Sequence, residues 1–275
     1  MLVNLNDLLP EAAKSSSAVP CFNVFGYEDA RAVVNAAEQM NRAVILACNK
    51  DVVDFYGVET AALMFLNLAK KSTVPVVLHL DHTYEEKIVF QALKAGFSSV
   101  MFDGSQLPIE ENIARTRQVA RVAHALGASI EGEVGSVPYT EGRDHIKSIF
   151  SSPEEVLRFS EESEADCVAI SIGNIHRLQT PTCEIDFGLL DHIAGQNTIP
   201  LVIHGTTGIK ETDIQKLKQS PVAKFNIGTC LRQALGHGLR EAMNAETDKF
   251  DRIYFMQKVM PDVQEEAVRN FELLA

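Results

Sequence analysis

Three histidines in this chain end apolar runs, where an imidazole nitrogen is well placed to bind a metal. His82 closes His79-Leu80-Asp81-His82 after Val74-Pro75-Val76-Val77-Leu78, His176 closes the run that begins at Cys167, and His204 closes Ile199-Pro200-Leu201-Val202-Ile203. Such runs, bounded by polar residues, read as buried strands. One histidine in such a place is ordinarily a hydrogen-bonded structural residue. Three together match a catalytic zinc, which usually takes three protein ligands and leaves one position open. Asp81 adds a carboxylate that a dication would keep ionised and that can still move a proton at a bound hydroxyl. On a regular strand Asp81 and His82 point to opposite faces, so both reach one pocket only if the chain turns there. The alternative for Asp81 is to cap a helix starting near Tyr84. His79 reads as a group that orients a neighbour.

Further acids end the next two strand-like runs: Asp103 in Val100-Met101-Phe102-Asp103, then Glu131 and Glu133 in Ile130-Glu131-Gly132-Glu133-Val134. Glu131 and Glu133 share one side of their strand, so one can be a ligand and the other a hydrogen-bond acceptor behind it. Two glycine-bearing turns, Gly205-Thr206-Thr207-Gly208 and Asn226-Ile227-Gly228-Thr229, each lead into a helical pattern. Free N–H groups at a helix start favour an anion. The hydroxyls of Thr207 and Thr229 add donors, and a phosphate ester is the substrate type expected.

These residues need strands to carry them. Strand-like runs fall at about 19–24, 43–48, 75–80, 98–102, 128–133, 166–172, 199–204 and 222–227, with amphipathic segments at 27–40, 110–126, 153–163 and 211–219 between them. Ser152-Pro153-Glu154-Glu155 marks a helix start, with serine as cap and proline in the first turn. Eight strands alternating with helices point to a (β/α)8 TIM barrel in one domain over residues 1–275. Its ligands then sit at the carboxyl ends of the strands. A doubly wound sheet is the runner-up, but no G-x-G-x-x-G follows the first strand. The irregular stretch 135–151 reads as a lid loop. Residues 246–275 read as a charged helical extension, packed outside the barrel or against a second subunit.

The chain has 275 residues, 46% hydrophobic and 23% charged, with a net charge of −12. This composition is that of a globular protein without the basic stripe that nucleic acid requires. No window approaches the roughly 20 apolar residues of a membrane span. Cys21, Cys48, Cys167, Cys183 and Cys230 show no paired spacing, which fits reduced thiols in a cytoplasm.

Taken together, these motifs resemble the class II, zinc-dependent fructose-bisphosphate and tagatose-bisphosphate aldolase family. The likeness begins at Pro20-Cys21-Phe22-Asn23-Val24 and runs through His79-Leu80-Asp81-His82, Phe97 to Ser105 with Glu110-Glu111-Asn112, and Glu131 to Gly135. It ends in the two glycine turns. It implies a barrel enzyme that splits a ketose phosphate into dihydroxyacetone phosphate and an aldehyde. It implies that His82, His176 and His204 hold zinc, that Glu133 contacts the metal when its position shifts, and that Asp81 moves the proton. Asn23, Arg177, Gly205, Thr206, Thr207, Asn226, Ile227, Gly228 and Thr229 match substrate and phosphate positions. In the family a monovalent cation, Na+ or K+, often completes that phosphate site. A homodimer or homotetramer acting on a small phosphorylated sugar is expected.

The chain departs from the family pattern at several contact positions. Relatives usually carry glycine directly after the second zinc histidine, where this chain has Arg177, and the usual serine after the second strand is Asn49. The aspartate often found in the last phosphate turn is Gly228. The lid reads Val137-Pro138-Tyr139-Thr140-Glu141-Gly142 without a Gly-Gly pair, and Glu141 is its candidate proton carrier by position. Three alternatives stay open: a Schiff-base aldolase using Lys224, a metal-dependent hydrolase, and a barrel that binds a sugar phosphate without catalysis.

Overall fold

The computed structural model describes residues 1–141 and 146–275. Eight strands form a closed parallel barrel: β1 (Val19–Asn23), β2 (Val44–Cys48), β3 (Val76–Thr83), β4 (Ser99–Phe102), β5 (Ser129–Val134), β6 (Cys167–Ile170), β7 (Leu201–Ile203) and β8 (Val222–Ile227), with β8 pairing back onto β1. Their near-continuous apolar runs follow from burial on both faces. On β2, Ile45 and Ala47 point inward while Val44, Leu46 and Cys48 pack against the helices outside. Each Val, Leu or Ile among them contributes about 1.5–3 kcal/mol by leaving water.

The expected helices are observed as Tyr27–Met40, Ile109–Ala125, Pro153–Glu162 and Glu211–Leu217. Ser152 does cap its helix, accepting the Glu155 N–H at 3.4 Å. The amino terminus does what no pattern in the sequence announces. A 3-10 turn at Leu5–Asp7 and a short helix at Leu9–Ala12 plug the far end of the barrel. Leu5 and Leu9 join Val19, Cys21, Val77 and Val202 in the inner apolar cluster. The Leu5 N–H donates to Ser129 Oγ at 3.0 Å.

The last helix, Arg252–Leu273, packs on Tyr27–Met40 and on Thr229–Ala245. Phe271 meets Phe22 at 5.6 Å between ring centroids, and Arg42 Nη1 donates to the Phe271 carbonyl at 2.9 Å. The carboxyl-terminal region therefore closes the helical ring, starting at Arg252 rather than at 246. Among the described residues no single helix is long and apolar enough to cross a membrane, and the five cysteines are free.

Candidate active site

The strand that carries His79-Leu80-Asp81-His82 does not end there but continues to Thr83. His82 has a left-handed backbone, φ 41°, and the register with β4 slips between Leu80 and Thr83. This break in the alternation brings Asp81 and His82 into one pocket. A left-handed conformation costs a non-glycine residue roughly 1–2 kcal/mol. Asp81 does not cap a helix, because the next one begins at Glu86. Its carboxylate instead accepts Asn23 Nδ2–H at 2.7 Å and Asn226 Nδ2–H at 3.1 Å. Burial alone would raise the Asp81 carboxyl, but His82, His204, His79 and Lys224 outweigh it and hold it well below the usual range.

His82, His176 and His204 present ring nitrogens all within 4.8 Å of one another. His82 Nδ1 lies 2.9 Å from Asp103 Oδ2, and His204 Nε2 lies 2.9 Å from Glu131 Oε1. Each carboxylate thus orients a ring from behind, as metal-bound histidines require. The opposite nitrogens, His82 Nε2 and His204 Nδ1, are buried without a hydrogen-bond partner, and so is Glu133 Oε2. Glu133 Oε2 stands 3.8 Å from His204 Nδ1. Buried polar atoms normally find partners, so partnerless ones converging on one place fit a cation held by nitrogen and oxygen. Burial lowers His204, whereas Asp81, Asp103 and Glu133 overcome burial at His82 and push it up to about 9. Burial, then Asp103, raises Glu133. His82, Asp103 and Glu133 form a second candidate group, but Asp103 is already engaged with His82 Nδ1.

Below the pocket lies a layer of buried charge. Residues two apart on a strand share a face, so His79 lies under Asp81, Glu131 under Glu133, and Lys224 under Asn226. Lys224 Nζ is 2.7 Å from Glu131 Oε2 and 2.6 Å from Asn226 Oδ1, and His79 Nδ1 meets Ser99 Oγ at 2.8 Å. Burial would lower Lys224, yet Cys21, Glu131 and Asp81 together raise it. A Schiff-base nucleophile must be a free amine. Lys224 is a paired ammonium with a fully buried side chain, which removes the candidate lysine of that alternative.

The two glycine turns lie side by side and are tied by Thr206 Oγ1, which donates to the Asn226 carbonyl at 2.8 Å. Gly205 has φ 72°, and a Cβ there would come 2.3 Å from the Ile175 carbonyl oxygen, so only glycine fits. Gly228 starts the helix Thr229–Ala245 without a side-chain cap. A Cβ at Gly228 would lie 2.9 Å from Asn23 Oδ1, so any side chain there would have to shift the amide that holds Asp81. Asn23, Gly205, Thr206, Thr207, Asn226, Gly228 and Thr229 line the pocket as expected. Ile227 does not. Its side chain is on the alternate face, in the outer core, so only its backbone belongs to the turn.

Arg177 also lines the pocket, with a left-handed backbone of φ 63°. This conformation suits the glycine usual in relatives, and the chain keeps it despite the larger side chain. The guanidinium reaches across the mouth: Nη2 lies 3.1 Å from Asp51 Oδ2 and Nη1 donates to the Glu141 carbonyl at 3.4 Å. Glu141 itself is exposed at the rim and does not line the pocket. The expected lid at 135–151 is described except for 142–145, and Gly142 lies outside the described residues. Tyr139 of this loop stacks on His176, at 4.3 Å between centroids and 18° between planes. Asn49 lines the pocket and caps the helix Lys50–Tyr56. Four lining residues escaped sequence reasoning: Phe25, Leu178, Arg232 and, as a contact, Tyr139. Arg232 sits in the first turn of Thr229–Ala245, its guanidinium 5.3 Å from the Phe25 ring centroid. Burial, then Arg177, lowers it.

Comparison with known proteins identifies the family and the fold. The chain is 34% identical to a 6-phospho-5-dehydro-2-deoxy-D-gluconate aldolase of Shouchella clausii, covering 98% of this chain and 94% of that one. It is 36% identical to a fructose-bisphosphate aldolase of Mycoplasma pneumoniae, covering 90% and 87%. The crystal structure of the YdjI aldolase from Escherichia coli K12 superposes with a TM-score of 0.87 at 29% identity, over 100% of this chain and 98% of that one. The family described as fructose-bisphosphate aldolase class-II matches residues 3–275, and the chain belongs to that family.

Proposed function

We propose that this protein is a zinc-dependent aldolase that reversibly cleaves a phosphorylated ketose to dihydroxyacetone phosphate and an aldehyde. The carrying observation is the set of buried, partnerless atoms beside Asp81: His82 Nε2, His204 Nδ1 and Glu133 Oε2. His82, His176 and His204 would hold the metal, with Glu133 in reach. When bound, zinc supplies Lewis-acid polarisation of a ketone oxygen and offsets the charge that builds there as the C–C bond breaks.

The chain's own groups do the rest. The turns at Gly205–Thr207 and Gly228–Thr229 seat the phosphate on backbone N–H groups and hydroxyls. Asp81, aimed by Asn23 and Asn226, takes the proton from the hydroxyl on the carbon that becomes the aldehyde. Glu141 is the candidate for returning a proton to the carbon of the other fragment once the loop draws it inward. A monovalent cation, Na+ or K+, would fit beside the phosphate as in the family.

The relatives' names pair a phosphate with a second anionic group: a carboxylate in the gluconate derivative, a second phosphate in the bisphosphate. Arg177 and Arg232 at the mouth supply the positive charge for such a second group. The test is cleavage of a panel of phosphorylated ketoses and sugar acids before and after chelation, followed by aldehyde release. Activity should vanish with the metal and return with Zn2+. Undiminished turnover in fully metal-free protein sinks the proposal, and release of inorganic phosphate instead of aldehyde favours a hydrolase.

A further inference from the structure

The Lys224–Glu131 pair has no part in the chemistry above, yet it is wholly buried, with both side chains at 0% exposure. Burying such a pair seldom adds stability, since desolvation cancels most of the attraction and apolar residues of similar volume often do as well or better. Its connections offer another reason for it. Glu131 spends one oxygen on Lys224 and the other on His204 Nε2. That second contact fixes the ring and leaves Nδ1 facing the proposed metal. Lys224 also donates to Asn226 Oδ1 at 2.6 Å, and Asn226 Nδ2 donates to Asp81 Oδ1 at 3.1 Å.

An ammonium has donors only, so it can meet nothing but the oxygen of the Asn226 amide. It thereby forces the NH2 end towards Asp81. Without it only Asp81 orients the amide from one side, and any flipped amide would set two oxygens against each other across the Asp81 contact. We infer that Lys224 is a positioning residue shared by the two halves of the site: through Glu131 it sets the ring of His204, and through Asn226 it sets the carboxylate of Asp81. The inference rests on the aldolase reading of those two residues.

The test separates positioning from folding. Lys224→Met alone would strand a buried carboxylate, so the informative variant is Lys224→Met with Glu131→Met, which replaces the pair by apolar groups. Glu131→Gln is the milder companion. Zinc affinity is measured by competition between the protein and a chromophoric chelator, which requires no turnover, and kcat and KM are measured on the best ketose phosphate. The double variant should fold, bind zinc about 10–100-fold more weakly, and lose about 100-fold in kcat with KM little changed. Glu131→Gln should weaken zinc by about tenfold at the least. Wild-type zinc affinity and kcat in the folded double variant would overturn the inference and leave the pair a folding element. Wild-type zinc affinity in Glu131→Gln would overturn its His204 half even if the double variant does not fold. If the natural protein cleaves no ketose phosphate, the aldolase reading fails by itself, and the zinc titration still decides the metal half.

Discussion

Lys224 and Arg177 are both cations that act near the pocket, but they are held in opposite ways. Lys224 lies inside the barrel between Glu131 and Asn226, with its side chain at 0% exposure. Arg177 stands at the rim with its side chain 21% exposed, touching Asp51, which is 48% exposed, and a loop carbonyl. A buried charge must keep its partners, because an unpaired one costs several kcal/mol. A rim charge can exchange one carboxylate for another, or for a ligand, at little cost. The comparison predicts a division of labour, with an interior that fixes geometry and a rim that chooses among substrates. The interior layer should then respond to mutation through kcat and metal binding, the rim through discrimination.

The largest effect should come from the interior. Asp81→Asn keeps the shape and removes the acceptor charge. It should lower kcat by about 10³-fold, within the range for a positioned proton carrier, which is about 4 kcal/mol of barrier. Zinc content, read by metal analysis, should stay near wild type because Asp81 is outside the histidine cluster. A small loss in kcat combined with loss of zinc would merge the two roles and break the comparison at its firmer end.

Much of that interior was legible in the sequence. The apolar runs placed all eight strands, and their ends placed His82 and His204, because a parallel barrel exposes its strand ends on one face. His176 instead lies six residues past the end of β6, in the loop that bridges to Tyr139. The left-handed turn at His82 was legible only as a condition: both Asp81 and His82 reach one pocket if the alternation breaks, and it does. Lys224 read as a residue early in the eighth strand. Its meaning lies in Glu131 on the far-off β5, a pairing that spacing does not encode. The amino-terminal plug was missed because a 3-10 turn and a one-turn helix carry no periodicity to detect. Arg232 was missed because a single arginine in a helix looks like part of a solvated face. Only closure of the barrel brings it over Phe25.

At the rim the expected effects are smaller and selective. Arg177→Gly restores a residue that tolerates φ 63°. Relief of strain and the added chain entropy of glycine roughly cancel, so stability should change by no more than about 1 kcal/mol. Hydrogen bonds to charged groups contribute about 1.5–3 kcal/mol. The kcat/KM for a substrate with a second anionic group should therefore fall about 10–100-fold. A ketose carrying a single phosphate should be nearly unaffected. Equal losses on both substrates would place Arg177 at the shared phosphate and remove its role in choice.

The smallest effect is the one that tests the exchange of partners directly. Asp51 occupies one edge of the Arg177 guanidinium at 3.1 Å, so an incoming anion must compete with it. Exposed pairs of this kind contribute about 0–1 kcal/mol. Asp51→Asn should move the thermal midpoint by no more than about 3 °C. By freeing the guanidinium it should lower KM for a doubly anionic substrate by about two- to fivefold. The gain should shrink as salt is raised, because screening weakens attraction between exposed charges. A rise in KM would carry the opposite meaning. Asp51 would then be aiming Arg177 rather than competing for it, and the rim pair would be a fixed part of the site, as Glu131 and Lys224 are below it.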